Sequence, residues 1–133
     1  MILVDSNVLI DALTGNDWTA WSANQLGRAA GAGPIFFNEI VYSELAVKST
    51  SEQDLDRDLR DLGLQLQRIP KTALYLAGKV FERYRTAGGT RSSNIPDFFI
   101  GSHALVAGLP LLTRDVRRYR TYFPDVELIA PEG

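Results

Sequence analysis

The stretch Met1–Leu13, MILVDSNVLIDAL, decides how the rest of the chain is read. Ile2, Leu3 and Val4 make a short buried strand, Asp5 or Ser6 has the chemistry of a helix N-cap, and the apolar run resumes as a helix to about Leu13, stopped by Gly15. Outward from this strand-to-helix joint the same pattern recurs. Asp17 is placed to cap a helix to about Ala30, Gly31-Ala32-Gly33-Pro34 breaks the chain, and Ile35-Phe36-Phe37 reads as a second strand. Asn38 caps a helix carrying IVYSELAV, Ser51 caps the polar helix SEQDLDRDLRDL, and Leu64–Ile69 alternates like a strand half open to solvent. Pro70 opens the longest helix, to about Ala87. Gly88–Asn94 is a flexible loop, and Ile95-Pro96-Asp97 starts a helix with proline in its first turn. Pro110-Leu111-Leu112 and Val126–Ile129 are the last strands, with Thr113 a cap between them. Strands alternating with helices predict a three-layer α/β/α domain around a short central parallel sheet.

With 133 residues, the chain fits one domain (1–133) that buries roughly two thirds of the surface of its unfolded state. A hydrophobic fraction of 45% and a charged fraction of 23% are those of a soluble globular protein, and no apolar run approaches the ~20 residues of a membrane helix. No basic segment precedes the first apolar stretch and there is no cysteine, so a cytoplasmic location is expected and disulfides and thiolate metal sites are excluded. A net charge of −2 means that any nucleic-acid surface must be local.

Ligands of open parallel sheets bind outside the carboxyl ends of the strands, which draws attention to acids at those joints. Asp5 follows the first strand; as a helix cap it would have a purely structural role. Glu44 lies three residues after Val41 and four after Ile40, on the apolar stripe of its helix, and so needs a cation, a hydrogen-bond network or a cleft edge; pairing with Lys48 one turn on is the bland alternative. Asp97 stands at the mouth of the apolar helix DFFIGSHALVAG, and Asp115 two residues beyond Thr113; each is also favourable first-turn charge. If these positions face one crevice, four carboxylates converge there, and mutual repulsion argues for a bound cation. All-oxygen ligands suit Mg2+, with Mn2+ a second choice, and one or two such ions can activate water against a phosphodiester. Asp11 and Asp17 read as surface or capping acids, and His103, six positions after Asp97 and off its helical face, reads as structural.

In this order, the segments ILVDSNVLID, IVYSELAV, IPDFFIGSHAL and LPLLTRDVRRYR resemble those of the PIN-domain ribonucleases, and among them the VapC-type toxins of bacterial toxin–antitoxin pairs. The resemblance spans residues 2 to 130, although 49 to 90 match mainly in helical character. It implies a PIN-like fold and a metal-dependent endoribonuclease, with Asp5, Glu44, Asp97 and Asp115 as the catalytic, metal-binding acids and Ser6, Asn7 and Thr113 in support. It further implies a structured RNA substrate such as a tRNA or ribosomal RNA, a cognate antitoxin and a homodimer. The chain departs from the pattern at its end: where many members have asparagine at the position of Asp115 and an acid about a turn later, it has Asp115 and then Tyr119.

A polyanionic substrate requires basic groups, and TRDVRRYRTY supplies Arg114, Arg117, Arg118 and Arg120 interleaved with aromatics, with Arg91 nearby in the glycine-rich loop. A solvated surface helix is the competing reading of that run. Trp18 and Trp21 are candidates for an antitoxin groove or for the core. A phosphoacceptor domain would want a late lysine, whereas the lysines are Lys48, Lys71 and Lys79; an aspartate phosphatase would want a second Asp where Asn7 stands. A non-catalytic nucleic-acid-binding domain of the same fold is the remaining alternative.

Overall fold

The computed structural model describes residues 1–131. Among them lie the strands β1 (Ile2–Val4), β2 (Ile35–Phe37), β3 (Leu64–Leu66), β4 (Leu111–Leu112) and β5 (Leu128–Ile129). The helices are α1 (Ser6–Thr14), α2 (Thr19–Ala32), α3 (Glu39–Ala46), α4 (Glu52–Asp61), α5 (Lys71–Thr86), α6 (Pro96–Ala107) and α7 (Arg117–Tyr122). Every strand pairing is parallel and the sheet order is β3-β2-β1-β4-β5.

A parallel sheet has to be covered on both faces, and Leu3, Val4, Leu111 and Leu112 are accordingly fully buried. From β1 at the centre the chain steps outward to β2 and β3, then returns through α5 and α6 to β4 and β5 on the other side. Right-handed crossovers put the helices of these two excursions on opposite faces. The direction of winding therefore reverses between β1 and β4, and the crevice of such a sheet opens at the carboxyl ends of those two strands. Asp5 and Thr113 are the residues that stand there.

Local chemistry sets the element ends. Asp5 is extended and its carboxylate accepts the Ser6 N–H at 2.8 Å, so α1 begins directly at the strand end. Asn38 Oδ1 takes the Val41 N–H at 3.0 Å and Ser51 Oγ the Asp54 N–H at 3.1 Å, as their positions predict. Gly101 is needed for close packing: a Cβ there would run into the Phe123 ring, and its absence lets the end of α7 lie against α6.

Two expectations are corrected. Asp17 is exposed and does not cap α2; Asn16 shapes that turn, its Oδ1 accepting the Trp18 N–H at 2.8 Å while its own N–H donates to Thr19 Oγ1 at 2.7 Å. The third strand stops at Leu66 rather than Ile69, because the Ile69 N–H turns to the Glu39 carboxylate at 2.8 Å and Pro70 has no N–H to offer a ladder. No helix among the described residues is long and apolar enough to cross a membrane.

Candidate active site

Asp5 is 3% exposed and both of its carboxylate oxygens are occupied. Oδ1 accepts the Ser6 N–H, and Oδ2 accepts the Thr113 hydroxyl at 2.9 Å and the Tyr119 hydroxyl at 2.7 Å. Three elements, β1, β4 and α7, thus meet on one side chain. Burial, together with the negative charge of Asp97, pushes the Asp5 carboxyl up to about 7, against the opposing pull of the Tyr119 and Thr113 hydroxyls.

Glu44 reaches the same place from α3. Its Oε1 accepts the Ser6 hydroxyl at 2.8 Å, and Ser6 in turn lies 3.5 Å from Asp5 Oδ1, so one serine bridges the two acids. Burial and the charge of Asp97 raise Glu44 as well, the Ser6 hydrogen bond opposing them. Asp97, in the first turn of α6, is raised chiefly by burial and also by Asp115, while Arg118 works the other way from 3.4 Å. Asp115 is exposed at the rim; its Oδ1 accepts the Arg117 N–H at 3.2 Å. Asp5, Glu44 and Asp97 therefore lie near enough to act on one another's charge, and Asp115 near enough to act on Asp97.

The supporting residues tie the crevice to its neighbours. Asn7 Oδ1 accepts the Arg114 N–H at 3.1 Å and Asn7 Nδ2 lies 3.4 Å from Thr113 Oγ1, so α1 holds the loop after β4. Arg114, expected on the RNA-facing patch, turns inward: its Nε and Nη2 donate to the two oxygens of Asp11 at 2.7 and 3.0 Å. Asp11 is accordingly not a surface acid but fully buried, and hydrogen bonds from Arg114, Asn16 and Ser22 hold it below the usual carboxylate range despite burial. The Trp18 ring covers the Arg114 guanidinium at 5.3 Å, and Trp21 meets Trp18 edge-on. Arg117, Arg120 and Arg91 are exposed, and Arg118 is half-exposed beside Asp97. His103 is buried between Asn38 and Gln67, its Nε2 2.7 Å from Gln67 Oε1, away from the acids. Tyr119 is the residue that reading the sequence missed; its position, one turn after Asp115, was the signal.

The donors suit a hard divalent cation in kind, being carboxylate oxygens whose affinity for protons is raised chiefly by burial and in second place by one another's charge. Among the described residues, however, no three acidic or histidine side chains stand close enough to hold an ion as they are. Ser6, Thr113, Tyr119 and Arg118 occupy oxygens of these carboxylates.

The sequence pattern of the PIN domain matches residues 2–124. The chain belongs to the PIN-domain family. Solved structures share its fold. It aligns with VapBC2 from Rickettsia felis, bound to a DNA fragment from their promoter, at a TM-score of 0.74 and 20% identity, covering 99% of this chain and 100% of that one. VapBC-1 from nontypeable Haemophilus influenzae gives 0.72 at 18% identity, covering 98% of each chain. DNA-bound VapBC from Salmonella typhimurium gives 0.69 at 16% identity, again covering 98% of both. No curated protein matches the chain in sequence.

Proposed function

We propose that this PIN domain is a metal-dependent endoribonuclease and the toxin of a toxin–antitoxin pair, with Asp5, Glu44, Asp97 and Asp115 holding Mg2+ or Mn2+. The observation that carries the reading is Asp5: a buried carboxylate at a parallel sheet's switch point, facing two further acids and pushed up to about 7. Folding leaves such a charge unneutralised at a cost, and a cation site is the function that explains it. When bound, a divalent ion supplies an activated water and takes up charge on a scissile phosphate.

The chain's own groups do the rest. Ser6, Thr113 and Tyr119 fix the orientation of Asp5, and Ser6 links it to Glu44. On this reading the exposed Arg117, Arg120 and Arg91 and the half-exposed Arg118 would take the phosphates of an RNA such as a tRNA or ribosomal RNA, while Arg114 anchors the loop that carries Thr113 and Asp115. A cognate antitoxin fits the likeness to VapBC assemblies, and pairing of two copies would set two crevices in one particle.

Purified protein free of any partner should generate new RNA 5′ ends at a few sites in total cellular RNA when Mg2+ or Mn2+ is present. Those ends should vanish with chelator and in Asp97→Asn. A folded, metal-supplied wild type that leaves every RNA intact refutes the assignment. Replacing Arg117 and Arg120 together by Ala should weaken RNA binding and reduce the slope of log affinity against log salt by about 1 to 2. An unaltered salt slope, measured by filter binding, removes this surface from the proposal.

A further inference from the structure

Tyr84, in the last turn of α5, is the post round which the loop Gly88–Asn94 is wound. Its hydroxyl accepts the N–H of Thr90 and that of Arg91, both at 3.2 Å. Gly89 lies against the Tyr84 ring, where any Cβ would run into the aromatic carbons, and its N–H donates to the Tyr84 carbonyl at 2.9 Å. Arg85 closes the turn by donating from Nη1 to the Arg91 carbonyl at 2.8 Å. Gly89, Thr90 and Arg91, three residues in a row, are thus each tied to the end of α5.

The phenol is itself held in place by aromatic rings. Phe81 stacks with it at 6.0 Å from the same helix, and Phe98 meets it edge-on at 5.7 Å. Phe98 follows Asp97 directly, so the ring that orders the loop is seated against the first turn of α6, which carries one of the acids. Arg118 comes to the same corner from α7, 3.4 Å from Asp97. It is also near enough to Tyr84 for its charge to help hold the phenol below the usual range, after the larger effect of the Arg91 N–H. Among the described residues neither Arg85 nor Arg91 is paired with a carboxylate. Cations without counter-ions suit the backbone phosphates of a nucleic acid, and a loop that is ordered beforehand avoids the entropy of being fixed on binding.

We propose that Tyr84 is a positioning residue of the RNA-binding face, holding the loop Gly88–Asn94 so that Arg91 joins Arg118 on the Asp97 side of the molecule. The proposal rests on the RNA reading above and names the group that fixes one of its arginines in place.

The test is RNA binding in chelator, which involves neither cleavage nor metal. Wild type, Tyr84→Phe, Arg91→Ala, the double variant and Tyr75→Phe are compared by filter binding to an oligouridylate over a range of salt concentrations, and thermal unfolding confirms that each is folded. Tyr84→Phe keeps the ring and its contacts with Phe81 and Phe98. It should bind about 3- to 10-fold more weakly, with a log–log salt slope lower by about 1, and trypsin should cut it faster after Arg91. The double variant should bind no more weakly than Arg91→Ala, because the phenol acts through that residue. Tyr75→Phe, an exposed position on the same helix, should behave like the wild type. An unchanged affinity in Tyr84→Phe or Arg91→Ala, an unaltered rate of cutting in Tyr84→Phe, or losses that add in the double variant overturns the proposal and leaves the RNA reading standing. A folded wild type that binds neither the oligouridylate nor bulk tRNA removes that reading, and this proposal with it.

Discussion

Asp5→Asn should lose the proposed RNA cleavage by about 10^3-fold or more, several kcal/mol if catalysis is metal-assisted as proposed, and should nevertheless be harder to unfold than the wild type at pH 8 in chelator. The second half follows from the carboxyl's rise from 3.8 to about 7 in the folded chain. A raised acid binds its proton more tightly folded than unfolded, so its ionisation works against the fold. Below about pH 4 both states are protonated and nothing is lost. Between pH 4 and 7 the unfolded chain ionises first and stability drains away, and above 7 the whole penalty, at most about 4 kcal/mol, is present. Asparagine removes the charge but offers one acceptor oxygen where Ser6, Thr113 and Tyr119 now find two, which returns about 1 kcal/mol for each hydrogen bond lost. A net gain of about 1 to 3 kcal/mol at pH 8, fading to nothing or reversing at pH 4, should appear as a pH-dependent difference in Tm. A difference that does not change with pH would mean that Asp5 is not a charged group held against its preference.

Arg114→Ala should be the most destabilising of the arginine-to-alanine changes in this segment. It would leave the Asp11 carboxylate fully buried with only Asn16 and Ser22 as partners, and breaking a buried pair from one side costs about 3 to 5 kcal/mol. The stacking on Trp18 and the hold on the loop carrying Thr113 and Asp115 would go with it. Arg117→Ala, an exposed neighbour, should stay within about 0.5 kcal/mol of the wild type. Urea unfolding of the two variants checks the contrast. Adding Asp11→Asn to Arg114→Ala should recover part of the loss, since the orphaned charge is then gone; equal stabilities for Arg114→Ala and Arg117→Ala would show that the pair is not what holds this corner.

What could be read from the sequence was whatever lies within a few residues. Asp5 at the end of an apolar tripeptide, Asn38 and Ser51 three residues ahead of the N–H groups they cap, and Pro96 opening a helix are local patterns, and they sufficed for an α/β/α fold with parallel strands. The arrangement of the crevice was less legible because its bonds cross the whole chain. Tyr119 looks like an aromatic interleaved among arginines, and only its place one turn after Asp115 ties it to the acids; its partner Asp5 is 114 residues away. Asp11, taken alone, is an acid on a short helix; only Arg114, far along the sequence, explains how it is buried. The same bond takes Arg114 away from the surface to which its neighbours suggested it belonged. Asp17 failed as a cap for a local reason, since Asn16 reaches the same turn with both its backbone and its side chain.

The placement of β1 at the centre of the sheet bears on how the protein comes into being. This strand is synthesised first, yet its neighbours β2 and β4 follow only at residues 35 and 111. A nascent chain therefore carries Asp5 as an ordinary solvated carboxylate until Thr113 and Tyr119 have left the ribosome. Closing so long a loop before parallel pairing is rewarded is slow. The crevice is thus among the last features to form, since Asp5 meets its partners only after the segment that carries Thr113 and Tyr119 has been made.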